Sequence, residues 1–151
     1  MTDSGDGLFQ RVAEALGDQY DLIRLLGKGG MASVFLAREH ALKRLVAIKV
    51  LDPGLSASED YRTRFQREAE TAAQLHHPNI VPIYRVGASG DLAYFTMAYV
   101  DGESLGARLR RLGRFPVEEA LRVTREVTAA LGSAHRRGII HRDIKPSNVL
   151  F

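Results

Sequence analysis

The spacing of apolar residues changes once along this chain. From residue 20 to about 100, short apolar runs are separated by glycine, proline and aspartate. From 101 to 138, apolar residues recur three and four positions apart. The first pattern predicts strands and the second predicts helices. Tyr20–Leu26, Val34–Arg38 and Leu45–Leu51 read as three strands, the last ended by Asp52-Pro53-Gly54. Ile80–Val86 and Leu92–Val100 read as two more, around a turn over Gly87–Asp91. Ahead of them, Leu8, Phe9, Val12, Ala13, Ala15 and Leu16, followed by Gly17, predict a short helix. Residues 1–7 are acidic and small and read as a disordered start.

Between the third and fourth strands, Glu59–Leu75 reads as a helix. Phe65, Ala69, Ala72 and Ala73 share one of its faces, Glu59 and Asp60 suit the positive end of its dipole, and Pro78 lies beyond its end. Ser104 predicts a cap for Leu105–Leu112, with Gly113 as the stop. A longer helix starts at Pro116 and runs toward Arg136, Arg137 and Gly138. Glu118 and Glu119 sit in its first turn, and its apolar stripe is Val117, Ala120, Leu121, Val127, Ala130, Leu131 and Ala134. The Asp101-Gly102 step divides the two patterns. The expected organisation is an extension over 1–19, a strand-rich part over 20–100 and a helical part over 101–151.

A length of 151 residues suits one ordinary domain, and 45% hydrophobic content can supply its core. The absence of cysteine removes disulfides and thiolate metal sites. No apolar run approaches the roughly 18 residues that a bilayer span needs, and the first residues are unlike a secretory leader. The net charge is +3. Arg108, Arg110, Arg111 and Arg114 cluster, but charge runs are usually a solvated helix face, so no nucleic-acid partner is expected.

Three segments carry candidate chemistry. Leu26-Gly27-Lys28-Gly29-Gly30-Met31-Ala32-Ser33-Val34 lies between two strands. Glycines let a backbone approach a phosphate, although most glycine triplets are ordinary turns. A dinucleotide-binding loop would open a helix and be followed by an acid about 20 residues on. Here a strand follows, and position 49 is lysine. A Walker-type loop would need a Gly-Lys-Ser/Thr end, which is missing. Lys49 itself sits in an apolar strand, where an ammonium needs an anionic partner. Glu68 lies on the apolar side of the following helix, whereas Glu70 points elsewhere. The third segment is His141-Arg142-Asp143-Ile144-Lys145-Pro146-Ser147-Asn148. Taken singly, Asn148 could cap a turn, His141 could be a core histidine, Asp143 a surface acid and Lys49 a snorkelling strand-edge lysine.

Taken together and in this order, the segments resemble the eukaryotic-like protein kinase family from about Tyr20 to Phe151. The family's glycine motif falls on Gly27, Gly29, Ala32 and Val34, with Ala32 in place of the third glycine. Its phosphate-anchoring lysine falls on Lys49 and its helix glutamate on Glu68. Its gatekeeper falls on Met97, and the hinge that binds adenine through the backbone falls on Ala98 and Val100. The Asp-Ile-Lys-Pro-Ser-Asn run resembles the serine/threonine branch. Gly29-Gly30-Met31, Arg67-Glu68-Ala69 and Tyr99-Val100-Asp101-Gly102-Glu103 look most like bacterial members.

The resemblance implies an α+β fold: a five-stranded antiparallel N-lobe sheet with one helix, the family's C helix, followed by the first helices of a helical C-lobe. It implies ATP and Mg²⁺ as cofactors and transfer of the γ-phosphoryl group to Ser or Thr hydroxyls of protein substrates. Residues 26–34, Ala47, Lys49, Glu68, Met97, Ala98 and Val100 would bind ATP. Asp143 would accept the hydroxyl proton, Lys145 would stabilise the transferring group and Asn148 would ligate a magnesium ion. A kinase homodimer is an expected partner and the cytoplasm an expected location, although bacterial kinases of this type often carry a membrane anchor further on. The family's Asp-Phe-Gly and later segments lie beyond the pattern matched here. The 151 residues are therefore expected to be the N-terminal portion of a kinase and inactive alone. The alternative is a catalytically dead kinase-like module that binds nucleotide or a partner kinase.

Overall fold

The computed structural model describes residues 3–151. Five strands form one antiparallel sheet in the order β1-β2-β3-β5-β4: β1 Tyr20–Lys28, β2 Ala32–Glu39, β3 Arg44–Leu51, β4 Ile83–Ser89 and β5 Leu92–Ala98. With the helices, this is the expected α+β architecture. Helix α1 spans Asp3–Leu16, α2 Pro53–Ser56, α3 Glu59–Ala73, α4 Leu105–Leu112 and α5 Val117–His135. The chain divides into two compact units. One runs up to Gln74 and includes Pro82–Tyr99; the other joins Leu75–Val81 to Val100–Phe151.

In the first unit, β3 pairs along its whole length with β2, from Ala32↔Leu51 to Glu39↔Arg44, and on its other edge with β5. Side chains alternate between faces, and directly opposed residues share one. Val46, Ile48 and Val50 therefore line one face with Phe35, Ala37 and Tyr94. That face is closed by Val12 and Leu16 of α1, with Phe9 set edge-on against Phe35. On the opposite face, Leu51 and Phe95 pack on Phe65 and Ala69 of α3.

The structure revises several expected boundaries. Residues 1–2 of the expected disordered start lie outside the described residues, but the helix already begins at Asp3. Its later turns are docked on the sheet, so adding a preceding turn extends an existing helix and needs no new nucleus. Asp52-Pro53-Gly54 does not simply end β3. Asp52 Oδ1 accepts the Gly54 N–H (2.8 Å) and caps the single turn α2. β4 starts at Ile83, after Pro82, which has no N–H to give a ladder. Gly87 lies inside β4 opposite Tyr94, where an added Cβ would come within 2.6 Å of the ring. Its glycine reflects a close approach and not a turn. β5 stops at Ala98, and α3 stops at Ala73, which is exposed.

In the second unit, Ser104 Oγ accepts the Ala107 N–H (3.1 Å) as the cap of α4, and Gly113 ends it with φ 77°. Pro116 is the N-cap of α5 and not its first helical residue. The inward line of α5 holds Val123 and Ala134, with Val127 and Ala130 half-buried between them. Val117, Ala120 and Leu121 of the expected stripe are exposed. Among the described residues, no helix is long and apolar enough to cross a membrane.

Polar contacts ring the docked α1. Arg11 pairs with Asp91, whose carboxyl is held below its ordinary pKa by the guanidinium. Ser89 Oγ donates to the Ala15 carbonyl (3.1 Å), and Arg85 donates to Gln19 Oε1 (2.7 Å). At the α1–β1 junction, His40 Nε2 lies 2.9 Å from Asp21 Oδ1 and Nδ1 lies 3.3 Å from the Asp18 carbonyl. Both partners are acceptors, so the doubly protonated ring satisfies both. Its pKa is raised chiefly by the bond to Asp21; desolvation pulls it back, and the Asp18 carbonyl adds a smaller lift.

Two outcomes follow from this packing. Leu16→Ala should lower stability by about 2–5 kcal/mol in chemical denaturation, because the side chain is buried. Glu14→Ala on the exposed side of α1 should stay within about 0.5 kcal/mol. A folded-state pKa above the ordinary 6.5 means that His40 stabilises fully below that value and loses its contribution as pH rises through the raised one. The melting-temperature gap between the wild type and His40→Gln should therefore shrink from about pH 5.5 to about pH 8.5.

Candidate active site

The residues singled out from the sequence fall into two groups, one in each unit. In the first unit, β1 and β2 meet at a tight turn over Gly29–Met31. The Gly29 N–H donates to the Ala32 carbonyl (2.8 Å), and the Asp52 N–H donates to the Met31 carbonyl (2.9 Å). Gly27 pairs with Val34 beside a bulge, and Lys28 pairs with Ser33. Neither Gly27, Gly29 nor Gly30 adopts positive φ. A Cβ at Gly27 or Gly30 would meet nothing within 4 Å, and at Gly29 only the Ala32 carbonyl at 3.6 Å. Neither backbone conformation nor internal packing requires these glycines, although Gly27, inside β1, costs roughly 0.5–1 kcal/mol relative to alanine. They leave the backbone of this turn open to close approach.

The register fixes what faces Lys49. Lys49 opposes Val34 on one side and Phe95 on the other, and Ala47 opposes Met97. Val34, Ala47, Lys49 and Met97 therefore share the α3 face of the sheet. The Lys49 side chain is 28% exposed, and its Nζ donates to Glu68 Oε1 at 3.0 Å. Nζ also lies 5.6 Å from the Phe95 ring centroid. Glu68 is mostly solvent-exposed, so the pair contributes little stability, on the order of 0–1 kcal/mol. What it gives is direction: it holds a flexible four-carbon chain in one orientation. Ser33 opposes Val50 and is buried on the α1 face, so its side chain turns away from Lys49. The Ala98 N–H is committed to the Pro82 carbonyl (3.0 Å), so any backbone contact Ala98 offers is through its own carbonyl. Leu26 is half-buried, Lys28 and Met31 are exposed, and Val100 belongs to the second unit.

In the second unit, Asp143, Lys145 and Asn148 converge. Lys145 Nζ lies 3.3 Å from Asp143 Oδ2. Asn148 Nδ2 donates to the Asp143 carbonyl (2.9 Å) and lies 3.4 Å from Oδ2. The amide nitrogen is thereby used, and the Asn148 oxygen is left as an acceptor. His141 Nδ1 accepts the Asp143 N–H (3.2 Å). Arg142 sits at φ 66°, a left-handed conformation that is unusual outside glycine. Pro146–Asn148 form one 3₁₀ turn. The loop is closed by the Leu105 N–H to the Val149 carbonyl (2.7 Å) and the Phe151 N–H to the Glu103 carbonyl (3.0 Å). The Glu103 carboxyl is held below its ordinary pKa by Arg111. Among the described residues, no three His, Asp or Glu side chains gather as a metal cluster.

The expectation of a solvated arginine face fails at Arg108. Its side chain is 28% exposed and its Nη2 bonds to Glu119 Oε1 at 2.7 Å. The partner lies on the next helix, across the α4–α5 turn, where no helical periodicity links it to Arg108. In space Arg108 lies beside two aromatic rings, Phe115 and Phe151.

Comparison with known proteins agrees with this geometry. The model of the protein kinase domain matches residues 20–151. The serine/threonine-protein kinase PksC of Streptomyces coelicolor is 45% identical over 98% of this chain and 28% of its own length. PrkC of Bacillus subtilis is 40% identical over 92% of this chain and 22% of its own length. The chain thus spans about a quarter of the curated relatives it matches. A crystal structure of a double mutant of the Mycobacterium tuberculosis PknI kinase domain superposes with a TM-score of 0.76 at 36% identity, covering 87% of this chain and 53% of that one. With its sheet, its lysine–glutamate pair and its Asp-x-Lys-x-x-Asn loop accounted for, the chain belongs to the protein kinase family, among relatives named as bacterial serine/threonine kinases.

Proposed function

We propose that this chain carries the nucleotide-anchoring and proton-accepting parts of an ATP-dependent protein kinase that phosphorylates Ser or Thr hydroxyls of proteins in the cytoplasm. In this reading, residues 20–100 are the N-lobe and 101–151 the start of the C-lobe. The observation that carries the reading is the Lys49–Glu68 pair at 3.0 Å, on the sheet face it shares with Val34, Ala47 and Met97.

The residues fit a nucleotide and a hard cation. Space lies open in front of Gly27 and Gly30, where a Cβ would meet no neighbour, so backbone N–H groups of residues 26–34 can come close to phosphates. Lys49 supplies a positive charge held in place by Glu68. Asn148 keeps an uncommitted amide oxygen, the donor type that magnesium takes. When bound, ATP supplies the transferable phosphoryl group and Mg²⁺ neutralises charge on it.

The chain's own groups then have distinct tasks. Lys49 anchors phosphate oxygens, and the carbonyl of Ala98 and the backbone of Val100 offer hydrogen bonds to adenine. The Asp143 carboxylate orients the substrate hydroxyl and takes its proton. Lys145, 3.3 Å from that carboxylate, spreads positive charge over the same point. Asn148 braces the Asp143 backbone through Nδ2 while presenting its oxygen outward. Preorganised charge of this kind is the main source of catalysis in phosphoryl transfer. The intact set of Asp143, Lys145 and Asn148 favours this over a decayed module that only binds nucleotide.

Two measurements test it. Mg-ATP should raise the melting temperature in proportion to the logarithm of its concentration above saturation, and Lys49→Met should abolish the shift. An unchanged shift in Lys49→Met would show the pocket to be misassigned. The 151 residues, which hold no Asp-Phe-Gly triplet, are expected to show no measurable phosphoryl transfer to Ser/Thr peptides. Turnover that disappears in Asp143→Asn would mean that transfer does not need the family's Asp-Phe-Gly segment.

A further inference from the structure

We propose that Arg108 is a positioning residue for the Asp143–Asn148 loop: its guanidinium, locked by Glu119, clamps the ring of Phe151 and so fixes the loop's exit. The guanidinium carbon lies 4.6 Å from the Phe151 ring centroid and 5.6 Å from that of Phe115, both within cation–π range. The two rings meet each other edge-on at 6.1 Å. The Glu119 side chain is only 19% exposed, and its Oε1 sits 2.7 Å from Arg108 Nη2. One cation thus ties α4, the residues before α5, the first turn of α5 and the segment leaving the loop.

This placement does not serve the helix. Arg108 lies in the first half of α4, four residues after the cap Ser104, where the helix dipole disfavours a cation. Its Nε is buried and has no hydrogen-bond partner among the described residues. A buried donor left unmade is a cost. An arginine tolerated under both penalties is explained by what it holds.

What it holds is short and stiff. Only Val149 and Leu150 separate Asn148 from Phe151. Residues 149–151 are paired against 103–105 through the Leu105 and Phe151 N–H groups and the Ser104–Leu150 bridge. Gly102 lets the two segments come this close, since a Cβ there would lie 1.8 Å from the Phe151 carbonyl oxygen. The backbone side of the clamp is therefore fully occupied, and the side-chain side is the Phe151 ring under Arg108. A shift of that ring carries Asn148 with it, and with Asn148 its bond to the Asp143 carbonyl.

A positioning role for Arg108 rests on the catalytic reading of Asp143 and Asn148, but the test does not involve nucleotide. It uses amide hydrogen exchange and the Asn148 side-chain NH₂ resonances of the ¹⁵N-labelled chain. Arg108→Met keeps the length and removes charge and plane. It should speed exchange at Leu105 and Phe151 about tenfold and move the Asn148 NH₂ signals toward those of a free amide, while amides at Val127–Leu131 in α5 keep their rates. Arg108→Lys, which keeps the cation, should restore most of both. Should Arg108→Met unfold the second unit, Phe151→Leu should give the same local pattern. Unchanged Asn148 signals, or exchange that rises equally across α5, would overturn the proposal. Because the Lys49-dependent ATP shift is read separately, either reading can fail alone.

Discussion

The alternation of side chains along β3 is the constraint on which the rest of the first unit depends. β3 is hydrogen-bonded on both edges, so its register cannot drift without breaking two ladders. Val46, Ile48 and Val50 then face α1, while Ala47, Lys49 and Leu51 face α3. A slip of one residue would drive the Lys49 ammonium under α1 and bring three β-branched residues to the other face. The same burial that stabilises the sheet therefore decides where the candidate anchor points. Glu68 adds only a weak, partly solvated pair, and its effect is on aim more than on stability.

The second unit solves a different problem, which is to hold an irregular loop without a sheet. Backbone pairing of 103–105 with 149–151, a 3₁₀ turn opened by proline and one left-handed arginine give the loop its shape. Asn148 fastens its two ends by bonding to the Asp143 carbonyl. The side chain that braces the Asp143 backbone thus keeps its own amide oxygen uncommitted. Arg108 reaches this assembly from outside, through rings and not through the polar groups themselves.

The strands and long helices were legible because their signals are local: apolar runs, a Ser104 cap, a Gly113 stop. The Lys49–Glu68 pair was legible for a physical reason as well, since a lysine in an apolar strand needs a carboxylate and only one glutamate of the next helix lies beside its apolar face. What escaped was decided by tertiary contact. Gly87 looked like a turn and is a strand residue giving way to the Tyr94 ring. Helix formation before Leu8 depends on docking that composition cannot reveal. Val123 was missed because the inward line of α5 is set by its neighbours and not by its most apolar stripe. Arg108 was assigned to solvent because nothing in its own helix hints at Glu119 or Phe151.

Helix α1 gives a last consequence. The kinase-domain match begins at residue 20, yet Val12 and Leu16 are as deeply buried as the strands they cover. The edge of the family's domain and the edge of the hydrophobic core therefore fall at different places in this chain. The outer face of the sheet is already claimed by the chain's own helix. Any protein approaching that side meets the polar back of α1, with Arg11, Glu14 and their neighbours, and not the bare sheet.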